Sequence, residues 1–367
     1  MSNEETSRRT GLCLAGGGIT GAMYEVGCLA ALEDAFEDFR ACDFDVYIGA
    51  SSGAVVATAL AGGLTAGRMY RALLDPADDF FALQRHHLLH LDMAELRRVW
   101  SSGLGAVRRL LGSVTSRPLE LDVWNELDRF YDSLPAGLFS VAPLEHFVAN
   151  FLRRRGIPES FAQMRRPLML VANDLDAGER AVFGVGELAN VPVSRAIAAS
   201  CAVPMLYAPV RIGDRDYIAG GVGEAGHVDV AVELGCERVV VLNAMVPIQT
   251  DPDARAVPTG HGPMKRIRDK GMLWVHNQSW RIVMEARLRK GLASYRAEHP
   301  KVEVLLVEPD RTDATMFMYS PTNFAARRAI LEDGYTTTMS RLRDEISPLR
   351  EAFEREGHRL RPQLVEG

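Results

Sequence analysis

The chain has 367 residues, 47% of them hydrophobic, with 42 basic and 48 acidic side chains and a net charge of −6. That length and apolar content suit one large α/β domain or a domain with an elaborate insertion, and the slightly acidic balance gives no global footprint for nucleic acid. Cys13, Cys28, Cys42, Cys201 and Cys236 are scattered, with no pair at zinc-ligand or C-x-x-C spacing, so they read as reduced core thiols and no metal site is expected.

The first nine residues are polar and read as a disordered leader without an apolar signal segment. Nowhere does the chain approach the roughly 20 apolar residues of a membrane span. The expected location is the cytoplasm, with at most peripheral contact with a membrane.

Gly11–Ala15 is a short apolar run that predicts a strand. It ends in Gly16-Gly17-Gly18-Ile19-Thr20-Gly21, and Met23, Val26, Leu29, Ala30 and Leu32 then recur at helical spacing. Two readings fit this strand, glycine turn and helix. Gly16, Gly18 and Gly21 satisfy G-x-G-x-x-G, the dinucleotide fingerprint, which wants an acidic residue at the end of the next strand. Alternatively, consecutive glycines expose backbone N–H groups where a tetrahedral oxyanion would form.

The next strand decides between them. Asp45–Ala59 reads DVYIGASSGAVVATA: an apolar strand at 46–48, then Gly49-Ala50-Ser51-Ser52-Gly53, then a small-residue helix. Strand, G-x-S-x-G, helix is the context of a nucleophile elbow, with the serine held at a sharp turn. Ser51 has glycine two residues before and two after it, whereas Ser52 does not. A helix N terminus beside Ser51 favours negative charge developing there. Where a ribose-binding acid would stand, this strand carries a serine, which favours the oxyanion reading.

With both glycine turns in view, the chain resembles the patatin-like phospholipase family over about residues 10–245. That family pairs a G-G-G-x-R-G oxyanion loop with G-x-S-x-G some thirty residues later and an Asp in D-G-G or D-G-A far downstream. The resemblance implies a three-layer α/β/α fold with a mainly parallel central sheet and a helical lid insertion. It also implies lipid acyl hydrolysis by a Ser-Asp dyad that needs no histidine, metal or cofactor. Gly16, Gly17, Gly18 and Ser52 map onto the oxyanion hole, Ser51 onto the nucleophile, and Gly49 and Gly53 onto the elbow. One departure is Thr20, where the family usually has Arg; threonine keeps a hydroxyl but loses the charge and the fork.

Leu64–Leu74 reads as the end of the following helical segment. Residues 75–137 are expected to form the lid. Within it, Leu96, Val99, Trp100, Leu104, Val107, Leu110 and Leu111 make an apolar stripe flanked by Arg97, Arg98, Arg108 and Arg109. Such a helix could touch an anionic membrane transiently, although a stripe of this kind more often faces a core. His86, His87 and His90 have no carboxylate or cysteine at ligand spacing and read as surface or lid residues.

Leu144–Leu152 predicts a helix, Leu168–Ala172 a buried strand, and Asn173–Gly178 a turn whose aspartates are explained by turn formation. Val193–Ala199 reads as a small-residue helix and Cys201–Pro209 as an apolar loop. Then comes Tyr217-Ile218-Ala219-Gly220-Gly221. In the family this register is x-x-D-G-G, so Ala219 stands where the dyad base belongs, with Gly220 and Gly221 matching. Because the other elements match apart from Thr20, the alanine reads as an introduced inactivating replacement, with a naturally inactive pseudoenzyme as the alternative. His227, after a glycine-rich stretch, is the one neighbour weighed as a substitute base, and a loop histidine is expected to be exposed.

Residues 250–265 read as a surface loop, Met272–Leu292 as a helix, Val302–Glu308 as a late strand and 324–342 as a final helical region, with a frayed polar tail beyond about 355. The expected layout is a hydrolase domain at 10–310 and a helical extension, 311–367, packed on it. The expected function is ester hydrolysis of a lipid or acyl-ester substrate by Ser51, nearly abolished by Ala219. The rivals are a non-catalytic lipid- or acyl-binding pseudoenzyme and a nucleotide-binding α/β protein.

Overall fold

The computed structural model describes residues 8–75, 77–91, 93, 97, 135–222, 226–249, 266–312 and 326–364. The strands are β1 (Thr10–Leu14), β2 (Val46–Ala50), β3 (His90–Leu91), β4 (Gly137–Ser140), β5 (Leu168–Asp174), β6 (Glu179–Phe183), β7 (Met205–Tyr207), β8 (Val210–Ile212), β9 (Arg215–Ala219), β10 (Arg238–Leu242) and β11 (Glu303–Val307). The helices are α1 (Gly18–Ala35), α2 (Ser52–Ala61), α3 (Ala66–Leu74), α4 (Arg85–Leu88), α5 (Ala142–Arg155), α6 (Val193–Cys201), α7 (Val228–Glu233), α8 (Met272–Glu298), α9 (Arg327–Arg343) and α10 (Pro348–Arg355).

The central sheet is mixed and mostly parallel. β11, β10, β1, β2 and β5 run parallel in that order, as short apolar strands buried on both faces should. Side-chain alternation sorts the two covering layers. Leu12, Leu14, Tyr47, Leu168, Leu170 and Leu242 face the layer that holds α1, α2, α3 and α9. Cys13, Val46, Ile48, Met169, Val171 and Val241 face the opposite layer, with α7 and Leu288 and Leu292 of α8. The expected three layers are therefore present. β9 and β8 continue the sheet antiparallel, and β6 pairs antiparallel with β5.

The pairing around β5 positions everything that follows. β6 pairs with residues 170–174 of β5, which occupies one of its edges. β2 pairs with 168–171 and β9 with 172–174, so both must share the other edge. β2 runs parallel to β5 and ends with Ala50 opposite Val171; β9 runs antiparallel and ends with Ala219 opposite Ala172. The two strands thus meet head to head.

A second, small sheet joins β3, β4 and β7. It frames the region expected to be the lid. The amphipathic stretch predicted at 92–111 lies outside the described residues, apart from Met93 and Arg97, and so does the loop predicted at 250–265. The apolar run Cys201–Pro209, expected as a loop, contains β7.

The tail is also different from expectation. Residues beyond 355 do not fray at once: Leu360 bridges Phe36, and Arg361 N–H donates to Ala35 O at 2.8 Å. The His358 ring lies against Phe36, Phe39 and Phe353. The rings of Phe36 and Phe39 just past α1, and of Phe353 in α10, need covering, and a polar local sequence gives no sign of that demand.

α9 lies against α1 so closely that a Cβ on Gly27 would sit 2.3 Å from Leu331 O. Gly291, in α8, has nothing within 4 Å of its Cβ position. In urea melts, Gly27→Ala should therefore destabilise by about 1–3 kcal/mol through overpacking. Gly291→Ala should be stabilising by up to about 1 kcal/mol through helix propensity. The same sign for both substitutions would mean that α9 is not seated on α1 in this way.

Candidate functional site

The site forms at the carboxyl ends of the parallel strands, where β1 and β2 each turn into a helix. Ser51 follows β2 directly and adopts φ 54°, ψ −130°, an uncommon conformation for a residue with a side chain. Holding a residue there costs on the order of 1–3 kcal/mol. The surroundings impose it. Ser51 N–H donates to Ser200 Oγ at 2.7 Å, and the fully buried Ser200 hydroxyl donates to Val171 O at 2.5 Å. The serine of α6 thus ties the turn to the middle of β5.

The glycines of the two turns are required by backbone packed on backbone. Gly16 has φ 74°, and a Cβ on it would lie 2.4 Å from Ala50 O. A Cβ on Gly53 would lie 2.5 Å from Leu14 O, and one on Gly49 2.6 Å from Ala54 Cα. Gly17 and Gly18 complete the loop, and their N–H groups donate to no protein acceptor among the described residues. Thr20, at the position expected to hold arginine, is buried, and its hydroxyl donates to Gly17 O at 3.3 Å. It closes the loop on itself.

Beneath the loop lies a residue that the sequence reading missed. Gly16 N–H donates to Glu25 Oε1 at 2.7 Å, and Glu25 Oε2 is buried with no hydrogen-bond partner. Burial pushes this carboxyl up to about 8, partly offset by the Gly16 hydrogen bond. Its signal was a glutamate among the small and apolar residues in the first half of α1.

Ala219 ends β9, with its N–H donating to Ala202 O at 2.9 Å. Asn173 Nδ2 donates to both Ala219 O (2.7 Å) and Gly220 O (3.2 Å), which fixes the departing chain. A Cβ on Gly220 would lie 2.1 Å from Val171 O, so the chain crosses β5 against its backbone. Asn173 was read only as a turn former, yet it holds the turn at 219–220. Asp174 does form the expected turn, accepting from Asp176 N–H and Ala177 N–H.

Gly17, Gly18, Ser51, Ser52, Ala219 and Gly221 line one cavity of about 560 Å³. Its remaining wall is mostly aliphatic and aromatic, from Met23, Val55, Phe80, Phe139, Leu206 and Trp280 among others, with His276 and Asn277 as polar members. No Asp, Glu, Lys or Arg lines it among the described residues. A ribose-holding acid is therefore not among those walls, and the dinucleotide reading finds no support there. Cys201 also lines it, with its thiol pushed up to about 12 by burial.

His227 is not brought to this cavity. It is buried rather than exposed, in the left-handed conformation (φ 46°) before α7, on the opposite layer of the sheet. Burial first, then the Arg180 charge, lowers its pKa to about 4, with Asp229 opposing. The imidazole that does line the cavity is His276 of α8, with its ring 5.9 Å from that of Trp280. The His86 and His87 rings lie against each other, tilted by 48°, with the His87 ring against Phe147.

The sequence profile described as patatin-like phospholipase matches residues 12–232. A curated relative, the uncharacterised protein YqhO of Bacillus subtilis (strain 168), is 26% identical over 220 residues, or 57% of this chain. The chain spans 62% of that relative's length. Among solved structures, VipD from Legionella pneumophila superposes with a TM-score of 0.38 at 15% identity, covering 91% of this chain and 66% of VipD. The type III effector protein ExoU gives 0.32 at 16% identity, covering 90% of this chain and 53% of ExoU. Both superpositions are loose, and family membership rests on the sequence match.

Glu25 gives the site a measurable pH signature. Its folded pKa, about 8, lies above the ordinary 4.5, so the folded state holds the proton more tightly than the unfolded state does. Stability from this group is full below about pH 4.5 and declines as pH rises toward 8, at up to roughly 1.4 kcal/mol per unit. Glu25→Gln keeps an acceptor for Gly16 N–H and cannot ionise. Its stability relative to the parent should therefore rise between about pH 5 and pH 8 in chemical melts. A difference that stays flat across that range would show that Glu25 is not held protonated.

Proposed function

The chain belongs to the patatin-like phospholipase family, and from that premise we propose that its site is built for lipid acyl-ester hydrolysis, with Ser51 as nucleophile and position 219 as the base position. The observation that supports this most is that Ser51, Gly17, Gly18, Ser52 and Ala219 all line one largely apolar cavity. In this reading an acyl chain lies along the aliphatic and aromatic wall, with its ester carbonyl at the polar end. Ser51 Oγ attacks the carbonyl carbon. N–H groups of Gly17, Gly18 and Ser52 hold the oxyanion, aided by the N terminus of α2. The proton of Ser51 needs an acceptor, and a serine hydroxyl without one is a weak nucleophile. Ala219 offers a methyl group, so turnover by this chain is expected to be slow.

Leu138 and Met205 line the cavity and are also exposed, at 46% and 47%. That supports entry from beside the insertion, next to a lipid surface. No helix among the described residues is long and apolar enough to cross a membrane. Ala219 equally favours a second reading, an acyl-binding protein that does not turn its ligand over.

Ala219→Asp separates the two. A general base contributes roughly 100- to 10,000-fold. The substitution should raise hydrolysis of a p-nitrophenyl acyl ester by at least that factor, and adding Ser51→Ala should abolish the gain. If the chain already hydrolyses the ester as fast without the substitution, the dyad reading fails. His276→Ala then asks whether the imidazole of α8 serves as base.

In the Ala219→Asp background, Gly17→Ala should lower kcat by on the order of 100-fold while the far-ultraviolet circular dichroism stays unchanged. The added Cβ would meet Met245 Sδ at 3.0 Å, and φ 124° does not suit a side chain. Unchanged turnover in a folded Gly17→Ala protein would place the oxyanion hole elsewhere.

A further inference from the structure

The polar end of the Ser51 cavity gathers positive partial charge from two helices. α1 begins at Gly18 and α2 at Ser52, and neither has an acidic residue in its first turn. Helix N termini carry roughly half a positive charge each. Between them stand the unpartnered N–H groups of Gly17 and Gly18 and the Ser51 hydroxyl. Ser52 Oγ is fully buried and has no hydrogen-bond partner. Hydroxyl and amide groups left without a partner are costly, so the Gly17 and Gly18 N–H groups and the Ser51 hydroxyl have unmet capacity for an acceptor.

Among the described residues no fixed negative charge balances that end. No carboxylate lines the cavity among the described residues, and Ala219 puts a methyl where an aspartate would place an anion beside Ser51. Glu25, on the far side of the loop, is held largely protonated at neutral pH by burial. A group with two acceptor oxygens and a full negative charge fits this end better than an ester carbonyl does. Hydrogen bonds to an ionised acceptor are roughly twice as strong as neutral ones. Apart from His276 and Asn277 the rest of the wall is apolar and suits a hydrocarbon tail, and about 560 Å³ is within the usual range for a small-molecule site.

We infer that this chain binds a free long-chain fatty acid, with its carboxylate at Gly17, Gly18, Ser51 and Ser52 and its tail along the apolar wall. No bond is made or broken. With aspartate at 219, the same acid would be a product repelled by like charge. With alanine it is retained. The inference rests on reading the Ser51 cavity as an acyl site.

The test is displacement of a fluorescent fatty acid, cis-parinarate, from the full chain at neutral pH by palmitate, hexadecanol or methyl palmitate, each kept below its aggregation concentration. Palmitate should compete at least about tenfold better than either neutral ligand, as expected for a charge-assisted contact. Ala219→Asp should weaken palmitate about tenfold or more and leave hexadecanol nearly unchanged, and Ala219→Asn should keep the palmitate preference. Equal competition by palmitate and hexadecanol in the parent chain would overturn the inference, as would a lack of competition by palmitate. Should Ala219→Asp fail to fold, the parent's palmitate-to-hexadecanol ratio decides alone. Ester hydrolysis gained by Ala219→Asp without any palmitate preference in the parent would sink only the carboxylate site. Palmitate preference without gained hydrolysis would sink only the hydrolase reading.

Discussion

Strand β5 has two edges, and three strands compete for them. β6 takes one edge over residues 170–174, which forces β2 and β9 to divide the other at the step from Val171 to Ala172. A parallel and an antiparallel strand that share one edge must end where they meet. That end point puts Ser51 and Ala219 at one junction, although 168 positions separate them in the chain. The Val171 carbonyl lies at its centre, accepting from Ser200 Oγ and leaving no room for a Cβ on Gly220. The strained turn at Ser51, the loop at Gly16–Gly18 and the apolar cavity are all arranged around this junction.

The polar support of the junction is buried and specific. Ser200, Asn173 and Glu25 each hold a backbone group, at Ser51, at Ala219–Gly220 and at Gly16 respectively. None of the three needs to touch a substrate. Buried polar networks of this kind define one conformation when satisfied and are costly when partly broken. Glu25 differs from the other two, since one of its oxygens lacks a partner and its proton answers for the missing charge.

Much of this was legible in the chain itself, for physical reasons that differ by element. The two glycine turns stood out because only glycine tolerates another backbone within 2.4–2.6 Å of its Cβ position, as at Gly16, Gly49 and Gly53. The central strands stood out as short apolar runs, whereas which side chain faces which layer came only with the structure. Ser200, Asn173 and Glu25 did not stand out, because each acts on a residue far away in sequence or one turn below. His227 was expected in an exposed loop and is buried, since Gly226 and α7 pack against the second layer of the sheet. The tail past residue 355 looked polar, yet its His358 covers three aromatic rings. His276 went unnoticed because nothing local ties α8 to a cavity more than two hundred residues upstream.

The central claim is that position 219 faces Ser51 at the meeting of β2 and β9. A crystal structure of the Ala219→Asp variant measures this directly. The account predicts a carboxylate oxygen within hydrogen-bond reach of Ser51 Oγ, about 2.5–3.0 Å. A carboxylate more than roughly 4 Å away and turned out of the cavity, with the backbone around it unchanged, would contradict it.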